Sequence, residues 1–225
     1  MLIEFDPLAK RTGKIKTGRI MLKKEIYQLP ETKAQWPIEP LGFYYPLAEE
    51  KPSKAPRWNI KIRDKQKSGA FPSADEVSGV SAAISGGPGR YVFKNKERKI
   101  GLLQSWSWNQ DDGGQLLIVS PLRLFQLSFN KETVKAAIYP TSIQDNEELQ
   151  FPILGSEHFI YIVSGKVLWS DRETDETKSL EMGQLLQVSR KDLKREYLNL
   201  RLKGTGEKST LLWVVLHYLS QNKRT

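Results

Sequence analysis

The sequence predicts an all-β fold in two related halves, and three patterns carry that expectation. In the stretch 151–190, His158 to Gly165 is a β-rich run ending in glycine, Lys166 to Ser170 continues it, and Leu180 to Gly183 leads into the apolar run Leu185 to Val188. Two strands, a charged hairpin loop and a third strand follow. Earlier, Tyr91 to Phe93 and Ile100 to Leu103 read as the arms of a hairpin reversed by the basic tip Lys94 to Lys99. Third, Val80 to Gly86 echoes Phe159 to Gly165, each a strand ending in Ser-Gly, at a period that suits two doubled barrels better than a solenoid.

Taken in order, residues 1–18 form a basic arm with Gly13 and Gly18 and little apolar periodicity. Residues 19–56 are expected as an irregular, Pro-rich wrap. An edge strand is read at its start, from Arg19 to Leu29, and Pro30, Pro37, Pro40, Pro46, Pro52 and Pro56 then interrupt any ladder. The aromatics Trp36, Phe43, Tyr44 and Tyr45 are expected to cover a sheet. The first half runs over 57–140. Trp58 to Ile62 alternates as a half-buried strand, Ser68 to Pro72 turns, Val80 to Ile84 is a small-residue strand, and Gly86-Gly87-Pro88-Gly89 turns again. Trp106 and Trp108 share one face, Asn109 to Gly114 is a turn, and Leu116–Val119, Leu122–Phe129 and Val134–Tyr139 are strands. The second half, 141–225, adds a strand from about Tyr197 and a buried strand over Leu211–Leu219, where Val214-Val215 favours strand over helix. Both halves are expected to pack as one compact domain.

At 225 residues and 39% hydrophobic content the chain can bury a sizeable core. No apolar run approaches the ~20 residues of a spanning helix, so no membrane is expected as a partner. Without cysteine, disulfides and thiolate metal sites are excluded, and the start of the chain has neither a secretory nor a mitochondrial signature. The expected location is intracellular, in cytoplasm or nucleus. The net charge of +9 is concentrated at the start, where seven basic groups of the first 24 residues, among them Lys10, Arg11, Lys14, Lys16 and Arg19, face only Glu4 and Asp6. These charges read as a solvated face in preference to a nucleic-acid site.

With these residues in place, 58–188 resembles the HutD/Ves family of the cupin superfold. The family pattern has a tryptophan followed four residues on by isoleucine, matched by Trp58 and Ile62; a Ser-Gly-x-Phe turn, matched by Ser68-Gly69-Ala70-Phe71; and a glycine after a strand, matched by Gly86. Leu127-Ser128-Phe129-Asn130 is similar to its Asp-Phe-Asn segment with serine for the acid, whereas Asp75 to Gly79 replaces its Pro-Gly-x-Asp-Arg piece. The resemblance implies a cupin-like double barrel, a bicupin, and a role as ligand binder or regulator in small-molecule metabolism.

Cupin enzymes hold a transition metal with histidines and a glutamate. Carried over here, the glutamate slot falls on His158 and the upstream histidine slots near Phe151 and Ile153, which cannot ligate. Only His158 and His217 exist; the first is expected as a polar rim residue and the second as a hydrogen-bonded strand residue. No cofactor and no catalytic residue is therefore expected. No Gly-x-Ser-x-Gly elbow occurs, and the Gly86–Arg90 cluster lacks the residues of a phosphate loop. The pairs Asp111-Asp112 and Glu147-Glu148 read as solvated, and Trp106 and Trp108 as packing rather than a stacking platform beside Arg90 and Arg123.

The expected function is a non-catalytic, metal-free sensor or regulator that binds a small polar metabolite in a barrel mouth, with Arg123, Tyr161, Gln184, Gln187 and Trp58 as ligand-binding candidates. Two alternatives stay open. One is an interaction or scaffold subunit that uses sheet edges or the basic arm on a protein or nucleic acid; the other is a metal-dependent enzyme with carboxylate-rich ligands. A homodimer through edge strands is a further expectation.

Overall fold

The computed structural model describes residues 22–28, 36–37, 42–50, 57–72, 78–153, 156–171, 177–190 and 198–219. These form β1 (Leu22–Gln28), β2 (Trp36–Pro37), β3 (Gly42–Glu49), β4 (Trp58–Lys65), β5 (Gly69–Ala70), β6 (Ser78–Gly86), β7 (Gly89–Phe93), β8 (Lys96–Ile100), β9 (Ser105–Asn109), β10 (Gln115–Ile118) and β11 (Leu122–Phe129). There follow β12 (Val134–Ile143), β13 (Glu148–Ile153), β14 (Glu157–Ser164), β15 (Lys166–Asp171), β16 (Thr177–Glu181), β17 (Gln184–Arg190), β18 (Leu198–Gly204) and β19 (Ser209–Tyr218). The fold is all-β. No helix of the described residues is long and apolar enough to cross a membrane.

The described residues form four sheets, none of which closes on itself among them: β2-β3-β4-β11-β6-β9 and β5-β10-β7-β8, then β1-β17-β14-β19-β12 and β13-β18-β15-β16. The order β4-β11-β6-β9 recurs as β12-β19-β14-β17, and β5-β10-β7-β8 recurs as β13-β18-β15-β16. The Ser-Gly echo sits at matching places in this repeat. Gly86 ends β6 with φ 101° and Gly165 follows β14 with φ 79°, both turning on positive φ that glycine adopts without a Cβ clash.

Alternation along each strand sorts side chains into three cores. Trp58, Ile60, Ile62, Phe125 and Leu127 of one large sheet pack against Phe159, Tyr161, Leu212, Val214 and Leu216 of the other. The Trp58 and Phe159 rings meet edge-on at 4.9 Å, worth roughly 0.5–1.5 kcal/mol beyond area burial. The opposite faces bury against the small sheets, around Phe71, Tyr91, Trp106, Trp108 and Leu124 in the first half and around Phe151, Ile160, Trp169, Leu186 and Leu200 in the second.

Several expectations change. The span 19–56 is not irregular throughout, since β1, β2 and β3 lie in it. Proline is tolerated because Pro37 sits in an edge strand and Pro46 adjoins a bulge, where the register with β4 shifts between Pro46 and Ala48. β1 leaves its sequence neighbours and pairs over its whole length with β17 of the second half. The boundary at 140 falls inside β12, whose ten residues all pair with β19. The tip Lys94 to Lys99 is only Lys94-Asn95, both at positive φ as a two-residue hairpin turn needs; β8 begins at Lys96. The arm residues Lys10, Arg11, Lys14, Lys16 and Arg19 lie outside the described residues.

Candidate functional site

β4 places the site. Its apolar residues Trp58, Ile60 and Ile62 face the central core, so Asn59, Lys61, Arg63 and Lys65 turn to the interior of the first half. Three of these are cations buried to 8, 3 and 5% exposure. Burying charge is costly unless it is compensated, so such a row marks a polar interior. Arg63 lies over the Phe71 ring at 5.5 Å and Lys61 over Tyr44 at 5.3 Å, two cation–π contacts.

The same interior continues across the sheet. Lys61 is opposite Gln126, Gln126 opposite Ser81, and Ser81 opposite Trp106. Gln126 and Ser81 are fully buried. Gln126 Nε2 donates to Ser128 Oγ at 3.4 Å, and Trp108 Nε1 to Ser81 Oγ at 2.8 Å. Two further polar atoms, Tyr91 Oη and Trp106 Nε1, are buried without a hydrogen-bond partner among the described residues. Burial raises the Tyr91 phenol to about 12, with Asp112 adding a little. In the second half the corresponding interior is built mainly by Ile143, Ile160, Ile162, Leu186, Val188 and Leu211, with the buried His158 on the same face of β14. The two repeats have thus diverged in what they enclose.

A groove of about 400 Å³ reaches the cation row at Lys61, between Tyr44, Pro46 and Glu49 of β3, Asn59 and Lys61 of β4, and Tyr27 of β1. The Tyr27 hydroxyl lies within hydrogen-bond reach of Glu25 and of Gln187 Oε1, the latter at 2.9 Å. Gln187 Nε2 donates to Glu157 at 3.1 Å, Tyr218 Oη reaches Glu157 at 3.4 Å, and Trp58 Nε1 donates to Tyr218 Oη at 3.0 Å. Burial first, then the Glu25 contact, raises the Tyr27 phenol far above its ordinary value. Arg57 pairs with Glu50 and covers the Tyr218 ring at 4.0 Å; its hydrogen bonds hold the Glu50 carboxyl below the usual range. This chain of contacts fixes β1 and both large sheets around the groove.

Of the five residues named from sequence, Gln187 and Trp58 join this network and none lines the groove itself. Arg123 makes a two-point ion pair with Asp64 at 2.6 and 2.7 Å on the other face of β4. Tyr161 is buried in the central core beside Phe125, its phenol raised to about 12 mainly by burial. Gln184 accepts the Glu181 backbone N–H at 2.9 Å and braces a turn. Sequence reasoning missed Lys61, Arg63, Tyr44 and Gln126. The alternation Asn59, Lys61, Arg63, Lys65 was visible, but reads as a solvated face until a second sheet is known to cover it.

The metal slots implied by the resemblance do not fit a metal. Phe151 and Ile153 are core residues, and the described residues hold no group of three His, Asp or Glu side chains placed for one. His158 is not a rim residue: it is 1% exposed, stacks on Trp213 and accepts its indole N–H at 3.2 Å. His217, in turn, is exposed. Trp106 and Trp108 pack in the core and form no open stacking platform.

No family model and no curated protein matches the sequence. Solved structures do match the fold. A conserved protein of unknown function from Pseudomonas aeruginosa PAO1, PA5104, superposes with a TM-score of 0.74 at 16% identity over 87% of this chain and 99% of its own. HutD from Pseudomonas fluorescens SBW25, in a formate condition, gives 0.67 at 18% over 88 and 100%. A Cupin 2 conserved barrel domain protein from Leptotrichia buccalis gives 0.50 at 9% over 80 and 91%. The chain therefore has the cupin-type fold of HutD and PA5104, at a sequence distance where the fold is what is shared.

Proposed function

We propose that this chain is a metal-free, non-catalytic binding protein, a bicupin whose first half holds a small organic acid against the buried cations of β4 while the second half serves as scaffold. The observation that carries this reading is the row Lys61, Arg63 and Lys65, turned inward and opening at Lys61 into a groove of small-molecule size. Carboxylates pair with such cations through short, charge-assisted bonds. As a binder of a small metabolite the protein would work inside the cell, as a sensor or regulator.

Isothermal titration with formate, acetate and malonate at constant ionic strength tests this. Saturable heat is expected for at least one acid, with affinity lowered at least about tenfold in Lys61→Met, which keeps most of the side chain's length and removes its charge. Equal heats from sodium chloride, or full affinity in Lys61→Met, would remove the basis of the proposal.

A further inference from the structure

A second cleft, of about 680 Å³, lies at the other end of the first half, where the connections after β4, β6, β8 and β10 meet. Arg90, Lys99, Gln104, Leu117, Ile118 and Val119 line it. Arg90 and Lys99 are direct register partners across β7 and β8, and like charges placed opposite each other destabilise a strand pair. Glu97 offsets little of this, because its contact with Arg90 is 3.4 Å long with both side chains exposed. Lys99 has no acidic partner among the described residues.

Apolar groups flank these cations without being covered. Val119 is 89% exposed and the neighbouring Leu102 59%. Leu102 is carried by a turn in which Leu103 has φ 60°, a conformation that costs a bulky residue on the order of 1–3 kcal/mol. The Leu103 N–H to Ala83 O bond at 2.7 Å and the Gly101 N–H to Gln104 Oε1 bond at 3.1 Å hold that turn in place.

In the second repeat the pairing of β15 with β16 starts differently: Lys166 faces Glu181, with opposite charges 2.8 Å apart. The Ser209 hydroxyl seals that end, accepting from Lys166 N at 2.9 Å and donating to Lys166 O at 2.8 Å.

We propose that the first-half cleft is a second binding site, for a small-molecule carboxylate on a short apolar body, with Arg90 and Lys99 taking the carboxylate and Leu117, Ile118 and Val119 the body. It is independent of the site at Lys61. Sodium octanoate and 4-phenylbutyrate are the probes, with octylamine and formate as controls, read by two-dimensional amide NMR on the full chain. The two acids are expected to shift the amides of 89–90, 99–104 and 117–119, and the controls to leave them in place. The pair Arg90→Ala and Lys99→Ala should weaken octanoate at least tenfold and Val119→Asp should abolish it, each with an otherwise unchanged spectrum, since these side chains are exposed. Lys61→Met should bind octanoate as the parent does. Octylamine binding as tightly as octanoate, undiminished affinity in the double variant, loss of octanoate binding in Lys61→Met, or no shift with either acid would each overturn the proposal.

Discussion

Tyr91 carries its hydroxyl into the first half with no partner among the described residues, and that makes it a sensitive probe. An unsatisfied buried hydroxyl costs free energy, so Tyr91→Phe should be neutral or stabilising by up to about 1 kcal/mol in urea denaturation of the ligand-free protein. A loss of more than that would mean the hydroxyl is already bonded. Tyr91, Tyr161 and Tyr218 all have phenols raised to about 12, chiefly by burial. Because the folded state keeps these protons above the ordinary value near 10, their contribution is intact below about pH 10 and lost as pH rises toward 12. Ultraviolet titration should find them ionising above the ordinary value near 10, with unfolding setting in over the same interval; ionisation near pH 10 without unfolding would contradict the burial described. At this scale the sequence was least legible. Arg123, Tyr161 and Gln184 were polar groups on correctly placed strands, but the face each strand shows depends on which sheet lies above it.

Strand-level readings did better where chemistry is local. Leu122–Phe129 was read with the bounds that β11 has, bracketed by Pro121 and Asn130, and Leu211–Leu219 overlaps the strand β19, which runs Ser209–Tyr218. The basic segment 96–99 was mistaken for a loop because charges there obscure β propensity, although β8 is an edge strand that tolerates them. β3 was missed for its proline, which the bulge accommodates. Small residues in β6 serve close approach: a Cβ on Gly79 would lie 2.3 Å from both Leu127 O and the Trp108 ring. Gly79→Ala should therefore cost at least about 2 kcal/mol. Gly113→Ala, at φ 58° with nothing within 4 Å, should cost only about 1 kcal/mol. Denaturation midpoints compare the two; an equal loss would mean that β6 can shift to admit the methyl.

Across the whole molecule, the doubled strand order follows from the repeat hinted at by Val80–Gly86 and Phe159–Gly165, while the divergence of the two interiors was not legible. It arises only when sheets stack and turn Lys61, Arg63 and Lys65 inward beside a groove. The large sheets share one apolar core, and β1 ties the start of the described chain to the second half. The halves should thus unfold together, with calorimetric and van't Hoff enthalpies equal; two resolved transitions would separate them. The central claim is that the first half, and not the second, receives a small carboxylate. The most direct measurement is a crystal structure of the protein soaked in malonate and compared with an unsoaked crystal. Carboxylate density is expected beside Lys61 and Tyr44 and none in the second half. Density confined to the second half, or at lattice contacts alone, would contradict it.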